Sequence, residues 1–314
     1  MFNYADYLEL NKDLTWLHTK EDAEKHWVDI GSKQMRLCNK KQLEIIDEFG
    51  NEVILYIPYY FYLYKKELLF DNKIKTYKGM KAFYYFLNDN CIIEKNVRRH
   101  YIPPNQRPLL INDDDHVKKF NENYWVQPPY KSIYKNNIIY FDKPILVIHN
   151  KYNIEWGKIP YNFLNLEILR SIFNKLHDKY QIIYIRPSNK MPDENFSYDH
   201  NIIVDEFGDY ELIENEFKDK VITYNNLIKK LNYTYNELLL MLYSNCENYI
   251  SVQGGSAYLM SYFFNKMIVL HKKGAEVRAG SYDGWFKNNN YKEENKKLII
   301  CNNEDEIMQN LNVF

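Results

Sequence analysis

Residues 249–258, YISVQGGSAY, join a short strand-like run, two adjacent glycines and the start of an apolar helical pattern. The chain has only ten glycines among 314 residues, so two side by side indicate a backbone position with a special requirement. The pattern predicts a strand at 249–252, a tight turn at Gly254 and Gly255, and a helix that begins at the turn. Two interpretations stay open here: a phosphate approaches the bare backbone, or glycine merely relieves steric strain.

Apolar strands alternate with amphipathic helices on both sides of this stretch. Helical spacing covers 161–180 and 234–245, and strand-like runs lie at 144–150, 181–187, 201–207 and 266–274. Strands that alternate with helices of this length predict a parallel sheet covered on both faces. The second half of the chain is therefore predicted to be a Rossmann-like α/β unit.

The first half carries a weaker form of the same pattern. The run EVILYIPYYFYLY at 52–64 begins like a buried strand, Pro58 interrupts it, and the aromatic segment beyond is a candidate helix start. Residues 81–87 and 108–112 are two further strand candidates. Thr19, followed by Asp22, predicts the start of a helix within a helical appendage at 1–40. We therefore predict two α/β units that face a cleft, at 41–140 and 141–314.

Composition excludes several classes of protein. The 41 basic and 42 acidic side chains leave a net charge of −1, which provides no overall field for a nucleic acid. The four cysteines are far apart and have no metal-ligand spacing, which is typical of a reducing compartment. The N-terminus does not resemble a signal peptide, and no run approaches the roughly 20 apolar residues of a membrane span. We expect a soluble, cytoplasmic protein.

Common cofactor fingerprints are missing from the sequence. It contains neither G-x-G-x-x-G after an early strand nor the P-loop pattern G-x-x-x-x-G-K-[ST]. The G-x-S-x-G turn of α/β-hydrolases is absent as well. These absences argue against a dinucleotide enzyme, a P-loop NTPase and an α/β-hydrolase.

The stretch 234–274, TYNELLLMLYSNCENYISVQGGSAYLMSYFFNKMIVLHKKG, resembles the donor half of GT-B glycosyltransferases. In that family a helix, a strand, a small-residue turn and a second helix hold the diphosphate of a nucleotide sugar. The turn is also similar to the HGAxLxN turn of the family that includes plant xylosyltransferases and extracellular O-GlcNAc transferases, with Gln253 in place of the histidine. The layout, including FNYADYLELNKDL at 2–14, resembles capsid-glycan glycosyltransferases of large DNA viruses. If the source is viral, the compartment is the host cytoplasm.

The resemblance implies a donor-binding role for the carboxyl end of the C-terminal sheet, in 141–314, and an acceptor-binding role for 41–140. Arg186 ends a strand at this rim, where its guanidinium would pair with a pyrophosphate, although a surface arginine is the simpler interpretation. The donor-binding candidates are Asn150, Lys151, Arg186, Ser251, Gln253, Gly254, Gly255, Ser256, Glu276 and Arg278. For Glu276 and Arg278, a plain exposed loop is the simpler interpretation. His149 is a catalytic candidate or a structural histidine. Asp205 and Asp209 would hold the base or ribose, or would only stabilise a turn.

The acidic run at 113–116, DDDH, is the best candidate for a catalytic base in the first half. A transferase that inverts the anomeric centre needs a base for the acceptor hydroxyl, and crowded carboxylates raise one another's pKa. Asp113 and Asp115 are the residues that we predict for this role, beside Asp114 and His116. Asp113 and Asp115 also resemble the DxD motif of GT-A enzymes, which binds Mn²⁺ or Mg²⁺. A polar loop without function is the third interpretation.

Together these features predict an inverting, metal-independent glycosyltransferase without a cofactor. It would move a hexose or pentose from a nucleotide sugar, with UDP favoured over GDP, to a hydroxyl of a glycan or glycoprotein. Two alternatives stay open: a metal-dependent GT-A enzyme that uses Asp113 and Asp115, and a catalytically inactive glycan-binding protein.

Overall fold

The computed structural model describes residues 2–108, 125–155, 157–187, 202–278, 280–288 and 296–314. Over these ranges the chain is a mixed α/β protein whose largest sheet has six parallel strands. The strands in chain order are β1 (Ile74–Tyr77), β2 (Ile92–Lys95), β3 (Ile145–His149), β4 (Asn153–Ile154), β5 (Gln181–Ile185), β6 (Ile202–Ile203), β7 (Val221–Thr223), β8 (Asn248–Val252), β9 (Lys266–Leu270) and β10 (Lys297–Cys301).

The six-stranded sheet has the spatial order β10-β9-β8-β3-β5-β7. From β3 the chain moves outward through β5 to β7, then returns to the other side of β3 and continues through β8 to β10. This is the strand order of a Rossmann-like sheet, in which the direction of winding reverses between the first and fourth strands. The prediction of a parallel sheet in the second half is confirmed, and β3 and β8 flank its switch point.

Helices connect the strands and cover both faces of the sheet. The α-helices in chain order are α1 (Tyr4–Leu10), α2 (Lys20–His26), α3 (Phe49–Asn51), α4 (Ile57–Lys65), α5 (Tyr130–Ile133), α6 (Leu166–Leu176), α7 (Asp209–Glu216), α8 (Tyr224–Leu231), α9 (Tyr235–Ser244), α10 (Gly255–Met260), α11 (Trp285–Asn288) and α12 (Glu304–Asn310). Trp27–Gly31 and Glu52–Tyr56 are π-helical, and short 3₁₀ turns occur at Lys40–Leu43, Lys81–Tyr84, Asp89–Cys91, Pro104–Gln106 and Leu311–Val313. Within the described ranges, no helix is both long enough and apolar enough to cross a bilayer.

Side-chain alternation along the strands divides the interior into two cores. Ile145 and Val147 of β3 point into one core, and Leu146 and Ile148 point into the other. The second core packs against α6, α7 and α12. The first core packs against α8, α9 and α10 and continues into the N-terminal half of the chain. A fully buried strand such as β3 therefore appears in the sequence as an unbroken apolar run.

The N-terminal half corrects part of the prediction. The start of the run at 52–64 is helical rather than a strand, because Glu52–Tyr56 is π-helical, whereas the helix predicted beyond Pro58 is present as α4. Pro58 is the second residue of α4 and directly follows the π-helical turn. Residues 81–87 begin with the 3₁₀ turn Lys81–Tyr84 instead of a strand. The candidate at 108–112 lies outside the described residues except for Pro108. The described strands of 41–140 are β1 and β2, so a second Rossmann-like unit and a cleft are not confirmed.

The described parts of the two halves share one core. Tyr262 donates its hydroxyl hydrogen to the carbonyl of Val53 at 2.7 Å, and Asn236 donates to the carbonyl of Gly79 at 2.6 Å. In the first forty residues, Thr19 caps α2 by accepting a hydrogen bond from the Asp22 amide, as the sequence predicts. The division into 1–40, 41–140 and 141–314 stays a prediction.

Candidate functional site

The carboxyl ends of β3 and β8 are the natural place for a ligand in this fold. Open α/β sheets bind ligands where the strand order reverses, outside the carboxyl ends of the strands. His149 is the last residue of β3, and it pairs in register with Ser251 of β8. Lys151, two residues after His149, and Gly254, three residues after Ser251, lie close to each other beyond the ends of these strands. The structure thus unites two groups of predicted residues that are about a hundred positions apart.

Asn150 fixes the loop that follows β3. Its amide N–H donates to the carbonyl of Ile185, and its side chain donates to the carbonyl of Leu164 and to the Tyr184 hydroxyl. Its side-chain oxygen Oδ1 accepts hydrogen bonds from the backbone N–H groups of Lys151 and Leu164. The Asn150 side chain is fully buried. It therefore positions the backbone of Lys151, and its donor-binding role stays a prediction.

The two adjacent glycines meet different requirements. Gly254 has a φ of +123°, which side-chain-bearing residues rarely adopt, and a Cβ built there would lie 3.5 Å from Lys151 Nζ. At Gly255 a Cβ would lie 2.8 Å from Phe49 Cδ1 and 3.0 Å from the amide nitrogen of Gly50. Gly255 is thus explained by the close approach of α3, while Gly254 faces Lys151. Phosphate binding at this turn stays a prediction.

Lys151 is the cation at the centre of this edge. Its ammonium forms an ion pair with Glu155, and both side chains are mostly buried. After burial, the charge of Lys151 is the next cause that lowers the pKa of His149 and of His271. The same charge opposes the effect of burial on the carboxyl of Glu276. The charge of Lys151 therefore affects the pKa values of His149, at the end of β3, and of His271 and Glu276, in the loop after β9. These titratable groups lie at one candidate site.

His149 lies beneath Lys151 with an unusual lack of partners. The imidazole is 3% exposed, and neither ring nitrogen has a hydrogen-bond partner among the described residues. Burial, with a smaller effect of the Lys151 charge, lowers the pKa of His149 to about 3. The ring is therefore neutral at physiological pH and is a weak proton acceptor. Its geometry favours a hydrogen-bonding role over that of a base, and its catalytic role stays a prediction.

The loop after β9 adds residues that the sequence did not single out. His271 Nδ1 forms a hydrogen bond with the Tyr282 hydroxyl at 3.1 Å and lies 3.9 Å from Glu276 Oε2. Burial raises the pKa of Glu276, and its Oε2 has no hydrogen-bond partner among the described residues. The missed signal is the position of His271 directly after the last residue of β9, at the same edge as His149.

Other predicted donor-binding residues serve the turn itself or lie at its margin. The backbone N–H of Gln253 donates to the backbone carbonyl of Leu270, and its side-chain N–H donates to the backbone carbonyl of Lys273. These two bonds connect the turn after β8 to the loop after β9. Ser251 is buried, and its hydroxyl donates to the carbonyl of Val252. Ser256 is partly exposed and Arg278 is exposed. Nothing in these contacts tests ligand binding, so these residues stay predictions.

Arg186 is committed to a buried ion pair. Its Nε and Nη2 lie 2.6 and 2.8 Å from the two carboxylate oxygens of Asp209, and the guanidinium is 1% exposed. Further N–H groups donate to the backbone carbonyls of Val204 and Asp205. Tyr184 links this pair to Asn150, because its hydroxyl donates to Asp209 and accepts from Asn150. Arg186 is thus linked to the loop after β3 through Asp209, Tyr184 and Asn150. Pyrophosphate binding by Arg186 stays a prediction.

The acidic run Asp113, Asp114, Asp115 and His116 lies outside the described residues. In the ranges that are described, no group of three or more His, Cys, Asp or Glu side chains is arranged to hold a metal ion. The base and metal interpretations of the acidic run therefore stay predictions.

Comparisons with known proteins add no relative to this description. No protein-family model, curated protein or solved structure matches the chain.

Proposed function

We propose that the chain is a glycosyltransferase that binds a nucleoside-diphosphate sugar at the switch point of its sheet. The observation that carries the proposal is the meeting of Lys151 and Gly254 at the carboxyl ends of β3 and β8, where the strand order reverses. A cation beside a turn without side chains suits an anionic group that approaches the backbone. The resemblance of 234–274 to the donor half of GT-B enzymes supports a diphosphate as that group.

In this proposal Lys151 has two states. Without a ligand, Glu155 holds the ammonium in place and limits the cost of its burial. When the donor binds, the diphosphate shares the ammonium with Glu155 and lies along the bare backbone of Gly254. The positive charge then stabilises the leaving nucleoside diphosphate as the bond to the sugar breaks. His149 donates a hydrogen bond to the donor from the neutral imidazole.

The ligand is tested first by thermal unfolding of the full chain. UDP, GDP, their common hexose and pentose conjugates, and inorganic phosphate are added one at a time. A ligand that binds only the folded chain at 100 times its Kd stabilises it by about 2.7 kcal/mol, which is readily seen as a rise in Tm. We expect the largest rise with a UDP-sugar. Failure of every UDP and GDP compound to raise Tm would contradict the proposal.

The role of Lys151 is tested with a matched pair of variants. Lys151→Gln removes the charge beside Gly254, whereas Lys158→Gln removes an exposed charge a short distance along the same segment. We expect Lys151→Gln to weaken binding of the donor by about 10- to 100-fold in calorimetry, from the loss of a charged hydrogen bond. Lys158→Gln should bind as the wild type does. Equal affinities in all three proteins would remove Lys151 from the site.

Metal dependence separates the proposed enzyme from its GT-A alternative. Once a donor is known, turnover is measured with and without EDTA. We expect no change, because the Lys151 charge takes the place of a metal ion at the diphosphate. Loss of turnover with EDTA, restored by Mn²⁺ or Mg²⁺, would favour the metal-dependent interpretation of Asp113 and Asp115. Donor binding without transfer to any tested glycan would favour the inactive glycan-binding protein.

A further inference from the structure

The carboxyl of Glu276 is only partly hydrogen-bonded: the backbone at Ala275 and Glu276 bonds to it and opposes the rise of its pKa, while one of its oxygens has no partner among the described residues. Its side chain is 17% exposed, and Oε2 is buried with no hydrogen-bond partner among the described residues. Buried polar atoms in native proteins are almost always paired, so an unpaired one requires an explanation such as a catalytic role. Glu276 belongs to the loop after β9, at the same edge of the sheet as Lys151.

Groups from three segments surround this carboxyl. His271 Nδ1 lies 3.9 Å from Oε2, and the tyrosines Tyr258 of α10 and Tyr282 interact electrostatically with the same carboxyl. From the loop after β3, the positive charge of Lys151 and the negative charge of Glu155 act on it in opposite directions. Glu276 is therefore enclosed by the residues of the proposed site and is not a solvated surface acid.

The two unsatisfied groups of the site differ in their capacity to accept a proton. Burial raises the pKa of Glu276 and lowers the pKa of His149 to about 3. A general base works best when its pKa approaches the working pH, so burial improves Glu276 as a base and weakens His149. Titratable groups whose environments move their pKa values apart often have separate roles in acid–base chemistry.

We propose that Glu276 is the catalytic base of the transfer. The inference rests on the proposed function, and it places the base in the loop after β9 instead of the acidic run at 113–116. It also gives Glu276 a role other than the donor-binding role that the sequence predicts.

The chemical step balances with the groups named. The acceptor hydroxyl gives its proton to the carboxylate of Glu276 while its oxygen forms a bond to the anomeric carbon of the sugar. The bond from that carbon to the diphosphate oxygen breaks, and its electron pair leaves with the nucleoside diphosphate beside Lys151. Glu276 then releases the proton to solvent. No oxidant, reductant or further reactant takes part.

The experiment compares three variants in the full chain with the donor identified by thermal unfolding. Glu276→Gln removes the basic oxygen at constant size, Glu276→Ala removes the carboxylate, and Glu206→Gln is a control at an exposed glutamate. Calorimetry gives the Kd for the donor, and steady-state kinetics give kcat. We expect Glu276→Gln to lower kcat by at least about 100-fold while Kd stays within threefold. Formate should restore part of the turnover of Glu276→Ala, and Glu206→Gln should match the wild type.

A pH profile tests the base assignment. The acidic limb of kcat/KM reports the pKa of the base in the free enzyme. Glu276→Gln should abolish that limb and retain donor affinity. A limb that is unchanged in Glu276→Gln would overturn the role of Glu276 as the base.

Distinct outcomes separate failure of the base from failure of the proposed function. If Glu276→Gln weakens donor binding and kcat is unchanged, the carboxylate is a donor ligand and the base assignment is wrong. If Glu276→Gln turns over like the wild type, the assignment is also wrong, while the proposed function stands. If the wild type binds no nucleotide sugar, the proposed function is wrong and the assignment is wrong with it.

Discussion

Two groups of buried charged residues at the same edge of the sheet differ in how completely they are paired. Arg186 and Asp209 form a bidentate ion pair, to which Tyr184 and two backbone carbonyls add further hydrogen bonds. Around Lys151, by contrast, both nitrogens of His149 and one oxygen of Glu276 have no hydrogen-bond partner among the described residues.

The contrast shows how a structural polar group is distinguished from one with a role in binding or catalysis. The sequence places Arg186 and Lys151 equally well, because each follows a buried parallel strand. The two sites differ only in how many of their buried polar atoms have hydrogen-bond partners. The hydrogen bonds of a fully paired group already contribute to the stability of the folded chain. An unpaired buried group lowers that stability until a ligand or a proton supplies the missing hydrogen bond.

The largest effect on stability is expected at the completed pair. Asp209→Asn leaves Arg186 buried without a counter-charge, which typically costs about 3–5 kcal/mol. Urea unfolding should show this loss as a lower midpoint, and Asp219→Asn, at an exposed aspartate, should stay within about 0.5 kcal/mol of the wild type. A small loss at Asp209 would mean that the pair is not the structural element described here.

His149 provides the opposite case. Its folded pKa of about 3 lies below the ordinary value of 6.5, so the unfolded chain binds the proton first as the pH falls. The wild type should therefore lose stability between pH 6.5 and 3. His149→Leu removes this loss, so its free energy of unfolding relative to the wild type should rise by about 3 kcal/mol between pH 7 and pH 4.

The control for this prediction is His18→Gln, which removes a histidine at an exposed position. It should follow the wild type across the same pH range in urea unfolding. If His149→Leu also follows the wild type, then His149 is hydrated or paired in solution, and the contrast between the two clusters weakens.

A substitution at Gly255 tests whether this glycine is required by close packing against α3. Gly255→Ala brings a Cβ within 2.8 Å of Phe49 Cδ1, and such overpacking costs about 1–3 kcal/mol. Ser256→Ala, at the partly exposed next position, should change the free energy of unfolding by less than about 0.5 kcal/mol. Phe49→Leu in the same chain should recover part of the loss at Gly255. Full stability of Gly255→Ala would show that α3 does not approach this turn closely.

The smallest effect is expected at Glu276, and it has the opposite sign. Because burial raises the pKa of Glu276, the folded chain favours the protonated form and loses stability as the pH rises through the folded pKa. Glu276→Gln imitates the protonated form, so its Tm should exceed that of the wild type at pH 8. The difference should vanish below about pH 4.5, and Glu206→Gln should show no gain. A lower Tm at pH 8 would indicate that the carboxylate is paired.

Much of the sheet could be predicted from the sequence, because each parallel strand is a short apolar run. The runs at 144–150, 181–187 and 249–252 became β3, β5 and β8. The same reasoning failed at the start of the run at 52–64, where the buried π-helical turn Glu52–Tyr56 is almost wholly apolar and shows no helical period. The helix predicted beyond Pro58 is present as α4.

The site was predictable only where it follows the ends of strands. Lys151 and Gly254 could be placed because strand ends are visible in the sequence and meet at one edge. The partner of Lys151 could not, because Glu155 reaches Lys151 through a loop conformation that the sequence pattern does not specify. For the same reason the sequence could not tell that Arg186 faces Asp209 and not a ligand.

The contact between Gly50 and Gly255 has a consequence for how this protein changes and how it is handled. Each glycine occupies the space that a methyl group on the other would need, so a side chain at either position would force the other backbone segment to shift, and side chains at both positions would conflict most. A fragment that starts at residue 141 would lack the helix against which Gly255 rests. Its turn would be free to move, and it would be a poor substitute for the intact chain in ligand screens.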